Sequence, residues 1–326
     1  MVNENKRIMI IPNVSRKSHD SCLVSVGLTL EIWFLYAMIS TTFFGFTTIV
    51  DKLMLEYRLS SFAYFVTFAP SAFLFSIWVA ISEPTEFSLL YAIALVAGLI
   101  SAGGYFLYVV SIRKEEASRI AALTSLFPAF IAVFAVFLLN EIFSAISYVG
   151  IILMILGSVL ISYKGNHLGR IIPLPIMIIL IATNLCYSVD QILSKITLDH
   201  LYFLPFLMMF LFGRFVIVFP GLSLPSVRRK VLLEVGRLER NYALVLILGS
   251  TMWTLAIIFY FIAASLGPIT LVSTTALISP LFTLIFATLI TKHYPKVLEE
   301  QIDGRTVALK LVAIALICIG TYFIII

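Results

Sequence analysis

The chain has 326 residues, of which 61% are apolar and only 12% charged, and its apolar residues gather in many long runs. A hydrocarbon core roughly 30 Å thick takes about 20 apolar residues to cross as a helix, so the composition predicts an all-α integral membrane protein and excludes a soluble one. The formal net charge of +5 then belongs to loops facing water and lipid headgroups, and gives no reason to expect a nucleic-acid partner.

Residues 1–29 read as a polar N-terminal tail carrying Lys6, Arg7, Arg16 and Lys17, without the short apolar core and small-residue cleavage site of a signal peptide. Ten transmembrane helices are predicted after it, at 30–50, 60–82, 87–111, 117–139, 145–163, 171–193, 203–222, 242–264, 269–291 and 307–325. Connections such as "SEPTE" (82–86) and "SLGP" (265–268) are short, which makes consecutive spans antiparallel neighbours and leaves no room for an extramembrane domain. Fifteen Lys and Arg residues follow the odd-numbered spans, against five on the other side. The positive-inside rule therefore puts both termini outside the cytoplasm.

Several chemistries find no support. Cys22, Cys186 and Cys318 are far apart, and His19, His167, His200 and His293 show no HExxH spacing, so neither a disulfide framework nor a metal site is indicated. Paired aspartates, a GxGD motif and a GxxxxGK[ST] loop are absent, which argues against an enzyme, against direct ATP drive and against any bound cofactor. There is no filter loop or charge ring of the kind that builds a channel.

Sliding the chain over itself exposes a duplication. "KLMLE" (52–56) matches "KITLD" (195–199) at a shift of 143, so Lys52 meets Lys195. "YFLYVVSIRKEEASRIAALTSLFP" (105–128) matches "IIFYFIAASLGPITLVSTTALISP" (257–280) at a shift of 152, where Tyr108 meets Tyr260 and Pro128 meets Pro280. Each copy holds five spans, an odd number, so the second enters the membrane from the opposite side. The predicted architecture is two inverted five-helix repeats, 30–163 and 171–326, an arrangement that places a substrate near the midplane between halves.

The pattern within each half resembles the EamA type of the drug/metabolite transporter superfamily: a first span ending near Lys52, then Tyr108, the stretch Ala117 to Pro128, an "LNE" turn at Asn140 and Glu141, and a fifth span with Gly150 and Gly157. The resemblance covers roughly residues 30–325. It implies a ten-helix transporter with both termini cytoplasmic, opposite to the charge count, and an inverted repeat accommodates either orientation. Arg214 fits the family's arginine in the second span of a half, whereas the first half has Pro70 near that slot. The family's glutamate before the last span is replaced by His293, ahead of an inserted "YPKVLEEQIDG".

Asn184, Tyr187, Ser188 and Gln191 recur at i, i+3, i+4 and i+7 in span 6, on one helix face. The matching slots of span 1 are Thr41, Phe44, Gly45 and Thr48. A polar stripe at lipid depth faces the protein interior or a water-filled cavity, or serves to join helices. Arg214 stands in the apolar run "FLFGRFVIVF", and Asp190 lies in the preceding span. At 1.5 Å per residue they sit about 17 Å and about 9 Å from the short loop that joins their spans, close enough for an ion pair. Alternatively Arg214 binds an anionic group of a substrate, and Asp190 carries a coupling proton or an amine. Trp253, Tyr105, Tyr108 and Tyr260 are candidates for stacking on a flat or cationic ligand, and Pro128 and Pro280, which interrupt their helices, are candidates for gates.

The reading from sequence is a multi-pass cell-membrane protein, working as a monomer within the lipid bilayer, that acts as a secondary transporter of a small organic metabolite such as an amino acid, amine or aromatic compound. A flippase for lipid or lipid-linked headgroups is the alternative on the same fold.

Overall fold

The computed structural model describes residues 22–57, 59–82, 88–115, 117–124, 126–138, 144–161, 172–267, 269–293 and 304–325. The tail before residue 22, Asn140, Glu141 and most of the inserted "YPKVLEEQIDG" lie outside the described residues.

All regular elements among the described residues are helical: α1 Cys22–Tyr57, α2 Ser61–Thr67, α3 Ala69–Ser82, α4 Leu89–Ile112, α5 Ala117–Thr124, α6 Phe127–Leu138, α7 Ala145–Ile161, α8 Leu174–Leu198, α9 Phe203–Val216, α10 Phe219–Leu222, α11 Pro225–Gly236, α12 Arg240–Leu266, α13 Ile269–Thr275, a 3-10 turn at Ala276–Ile278, α14 Ser279–His293 and α15 Gly304–Ile325. Among the described residues, six segments are long and apolar enough to cross a membrane: Ile32–Glu56, Ser61–Ile81, Leu89–Ile112, Leu174–Leu198, Phe203–Leu222 and Arg240–Leu266. Shorter apolar helices run over Ser279–Ile290 and Val307–Gly320. Large apolar side chains such as Leu74, Ile81, Leu89 and Leu174 point outward, as expected where lipid rather than water surrounds the helices.

Several borders differ from the sequence prediction. Helix α1 begins at Cys22, inside the predicted polar tail, because "CLVSVGLTL" contains no proline to stop it. It also continues past the predicted end at 50 through Asp51, Lys52 and Glu56, of which Asp51 and Lys52 are buried inside the bundle instead of lying in a loop. The connection after Leu222 is not bare loop: α11 lies there, with Val231 buried and Glu234 accepting from both the backbone N–H (2.9 Å) and the hydroxyl (2.6 Å) of Ser60 at the start of α2. Two of the fifteen cations counted toward loops, Lys52 and Arg119, are buried in helices, and the remaining excess keeps the same sense.

Four predicted spans are interrupted, each two residues ahead of a proline. The breaks fall at Phe68 before Pro70, at Leu126 before Pro128, at Val218 before Pro220 and at the 3-10 turn ending in Ile278 before Pro280. Proline lacks the N–H for the i−4 carbonyl, and its ring crowds the preceding turn. The interruptions at Pro128 and Pro280 were expected from the duplication; Pro220 adds one that mirrors Pro70.

The most extensive pairings are α7 with α15, α1 with α12, and α4 with α8, followed by α4 with α9. One apolar core runs across both halves of the chain, with Tyr64, Phe206, Phe210 and Phe261 almost wholly buried. The Ala94, Gly98, Ala102 stripe in α4 packs as its spacing implies, with all three buried. A Cβ on Gly98 would run into the Phe210 carbonyl of α9, and one on Gly213 would run into the Leu95 carbonyl of α4. The two glycines thus fix the separation of α4 and α9 reciprocally. Gly98→Leu and Gly213→Leu should each destabilise the purified protein by about 1–3 kcal/mol or more, read as a lower thermal unfolding midpoint in detergent. An unchanged midpoint in both would contradict this close approach.

Candidate functional site

Helices α1, α4, α8, α9 and α12 surround a cavity of about 150 Å³, which is also lined by Thr124 and Phe127 beside the break between α5 and α6 and by Ala276 and Ser279 beside that between α13 and α14. At roughly 10–15 Å³ per water in this measure, it has room for some ten waters or a small organic molecule. Thr48 and Asp51 reach it from α1, Ser101, Tyr105 and Tyr108 from α4, Tyr187, Asp190 and Gln191 from α8, Arg214 from α9, and Trp253 and Tyr260 from α12.

The sequence-predicted residues Tyr187, Asp190, Gln191, Arg214, Trp253, Tyr105, Tyr108, Tyr260 and Thr48 therefore meet around one space. Asn184 does not join them. Its amide donates to the Leu123 carbonyl (2.9 Å) and to the Leu180 carbonyl (2.8 Å), so it seats α8 on the break between α5 and α6. Ser188 does the same on the other side of that break, donating to the Phe127 carbonyl at 2.9 Å. Pro128 and Pro280 are both buried beside the cavity-lining residues Phe127 and Ser279.

Arg214 is 7% exposed, and its guanidinium lies 4.0 Å from the centroid of the Trp253 ring and 5.7 Å from that of Tyr105. Its Nη1 donates to the Ser101 hydroxyl at 2.5 Å. Stacking on an aromatic face and donating to one hydroxyl uses a fraction of the five N–H groups a guanidinium presents. The expected ion pair with Asp190 is not formed: among the described residues, no pairing within 4 Å links them. Gly213 accounts for the difference, because the tight α4–α9 approach puts Arg214 against Ser101 and the Trp253 wall.

Among the described residues, several other polar atoms on the walls have no hydrogen-bond partner: both carboxylate oxygens of Asp190, the amide oxygen of Gln191, and the hydroxyls of Tyr108 and Tyr260. Buried polar groups are nearly always paired. A ligand or water in the cavity is the natural counterpart for this set.

Sequence reasoning missed Asp51. It is 2% exposed and accepts from the hydroxyls of Tyr64 (2.5 Å) and Tyr105 (3.2 Å). The signal was available, since Phe44, Thr48 and Asp51 stand at i, i+4 and i+7, extending the stripe already found. Ending span 1 at the first charged residue concealed it.

The two halves repeat specific contacts. Lys52 Nζ donates to the Ile112 carbonyl at 3.3 Å, and Lys195 Nζ to the Ala264 carbonyl at 3.4 Å. Both lysines also pair with the acid one turn on, Glu56 at 3.5 Å and Asp199 at 2.9 Å. Thr41 donates to the Thr275 carbonyl at 3.3 Å, as Asn184 does to that of Leu123.

No curated protein matches the chain. Among 23 matching chains of solved structures, one described only as "Crystal structure of protein" superposes with a TM-score of 0.59 at 17% identity, covering 87% of this chain and 96% of that one. At this identity the likeness concerns the fold. Residues 31–163, which hold most of α1 and all of α2 through α7 with the Asp51 wall of the cavity, match the model of the EamA-like transporter family. The chain is accordingly a multi-pass membrane protein whose N-terminal part is similar to that family of transporters.

Proposed function

We propose that the chain is a ten-helix secondary transporter of the cell membrane, built as two inverted five-helix repeats at 30–163 and 171–326, which moves a small organic metabolite by alternating access. The observation that carries this reading is a cavity between the two halves whose walls combine one guanidinium, aromatic rings and several unpaired polar atoms. Arg214 binds an anionic group such as a carboxylate, since most of its donors remain available. Asp190, with both oxygens unpaired, receives an ammonium. Trp253, Tyr105 and Tyr260 pack on the body of the ligand. Such a set suits an amino acid, an amine bearing an anionic group, or an aromatic compound of that kind.

The repeated contacts support the inverted arrangement. Lys52 and Lys195 are separated by 143, and the carbonyls they bind, Ile112 and Ala264, by 152, which are the two shifts found in the sequence. The pairings of α1 with α12 and of α4 with α8 are likewise exchanged by such a symmetry. Because one chain supplies both halves, the monomer suffices for the cycle. The broken helices at Pro128 and Pro280 flank the cavity and act as its gates, opening it to one membrane face at a time.

Counterflow in proteoliposomes against labelled amino acids, polyamines, aromatic metabolites and organophosphates tests the reading. One class should accumulate with wild type and fall roughly 10- to 100-fold with Arg214→Gln, the loss expected for a charged hydrogen-bonding partner. Accumulation of none of these, with transbilayer movement of a labelled lipid instead, would replace the metabolite by a lipid headgroup. The double variant Pro128→Ala, Pro280→Ala should slow counterflow severalfold while leaving ligand binding intact, and an unchanged rate would remove the gating role.

A further inference from the structure

The cavity contains two carboxylates, Asp51 and Asp190, and one guanidinium, Arg214, all buried. Its fixed charges do not balance when both acids are ionised. Asp190 has Arg214 among its charged neighbours on the cavity walls, whereas Asp51 faces phenols. Tyr64 of α2 and Tyr105 of α4 donate to its Oδ1, and Tyr108 of α4 and Tyr187 of α8 are its other titratable neighbours.

The cations near Asp51 in the chain or in space are engaged elsewhere. Lys52, the next residue on α1, turns its amine to the carbonyls of Ile112 (3.3 Å) and Glu115 (2.9 Å) and to Glu56. Arg119 of α5 pairs with Glu115 at 2.9 Å. Arg214 of α9 rests on Trp253 and Ser101. Among the described residues, no Lys, Arg or His lies within 4 Å of the Asp51 carboxylate. Phenol hydroxyls orient a carboxylate but bring no charge, and a lone buried carboxylate is strongly disfavoured without a cation or a proton. Both phenols donate to the same oxygen, Oδ1.

We propose that Asp51 is a proton-binding site coupled to the substrate chamber through Tyr105. That residue has its hydroxyl on Asp51, while its ring lies 5.2 Å from the Trp253 ring that carries Arg214. A proton taken from water at one membrane face neutralises Asp51, which weakens the charge-assisted hydrogen bond that holds Tyr105 in the wall of the chamber. Release of the proton at the other face restores it. Coupling to transport rests on the transporter reading above; the proton site does not.

The test uses the full chain with Trp33→Phe and Trp78→Phe, leaving Trp253 as the single tryptophan of three. Its fluorescence in detergent should titrate with pH. The titration should vanish with Asp51→Asn and persist with Asp190→Asn. Tyr64→Phe, a milder variant that keeps the carboxylate, should move the midpoint by about one pH unit, as loss of one hydrogen bond to a charged oxygen implies. A titration that survives Asp51→Asn, or vanishes with Asp190→Asn instead, overturns the proposal. In proteoliposomes, a pH gradient should change the counterflow of whichever labelled amino acid, amine or aromatic compound is accepted, and the ratio of rates with and without the gradient should fall to one with Asp51→Asn. A ratio that stays at its wild-type value overturns the coupling. If wild type accepts no labelled compound while the fluorescence titration still depends on Asp51, the metabolite-transporter reading fails and the proton site stands.

Discussion

Inside a bilayer, a backbone carbonyl without a hydrogen bond has no water to turn to, so a helix can be interrupted only where the protein supplies another donor. The break between α5 and α6 meets that condition from across the chain. Asn184 and Ser188, one turn apart on α8, bond the carbonyls of Leu123 and Phe127 on either side of it. In the other half Thr41 bonds the carbonyl of Thr275 just before the 3-10 turn. These side-chain bonds hold the first helix of each half against the broken helix of the other, and the cavity is the space left at that junction.

The second constraint is distance. Glycine at 98 and 213 lets α4 and α9 meet backbone to backbone, and only with that spacing does the Arg214 side chain end at Ser101 over Trp253. A guanidinium in this position is tolerable because an aromatic face and a hydroxyl replace part of its hydration. The arginine in "FLFGRFVIVF" is thus explained in part by the glycine before it: one residue sets the approach, and the next uses it.

Much of this was legible in the sequence because the membrane makes periodicity and proline conspicuous. The polar face of span 6 is read from Asn184, Tyr187, Ser188 and Gln191, and the duplication singles out Tyr108 with Tyr260 and Pro128 with Pro280. Other features depend on partners distant in the chain. Asn184 and Gln191 look alike as buried amides, yet the first is consumed by a carbonyl 61 residues away and the second faces the cavity. Asp51 and Lys52 seemed to end a span because charge ordinarily marks the membrane surface. They are inside because tyrosines from α2 and α4 and carbonyls near the end of α4 receive them. Hydropathy along the chain contains no information about such partners.

The reciprocal bonding across the breaks also orders events during synthesis. Leu123 and Phe127 leave the ribosome 61 residues before Asn184 and Ser188, the side chains that bond them. Thr41, by contrast, is made 234 residues before the Thr275 carbonyl it will meet. For the interval between, the carbonyls of Leu123 and Phe127 are without the Asn184 and Ser188 donors, while Thr41 has the Ala37 carbonyl of its own helix as acceptor. The bonding at the break between α5 and α6 is complete only once α8 is in place beside it.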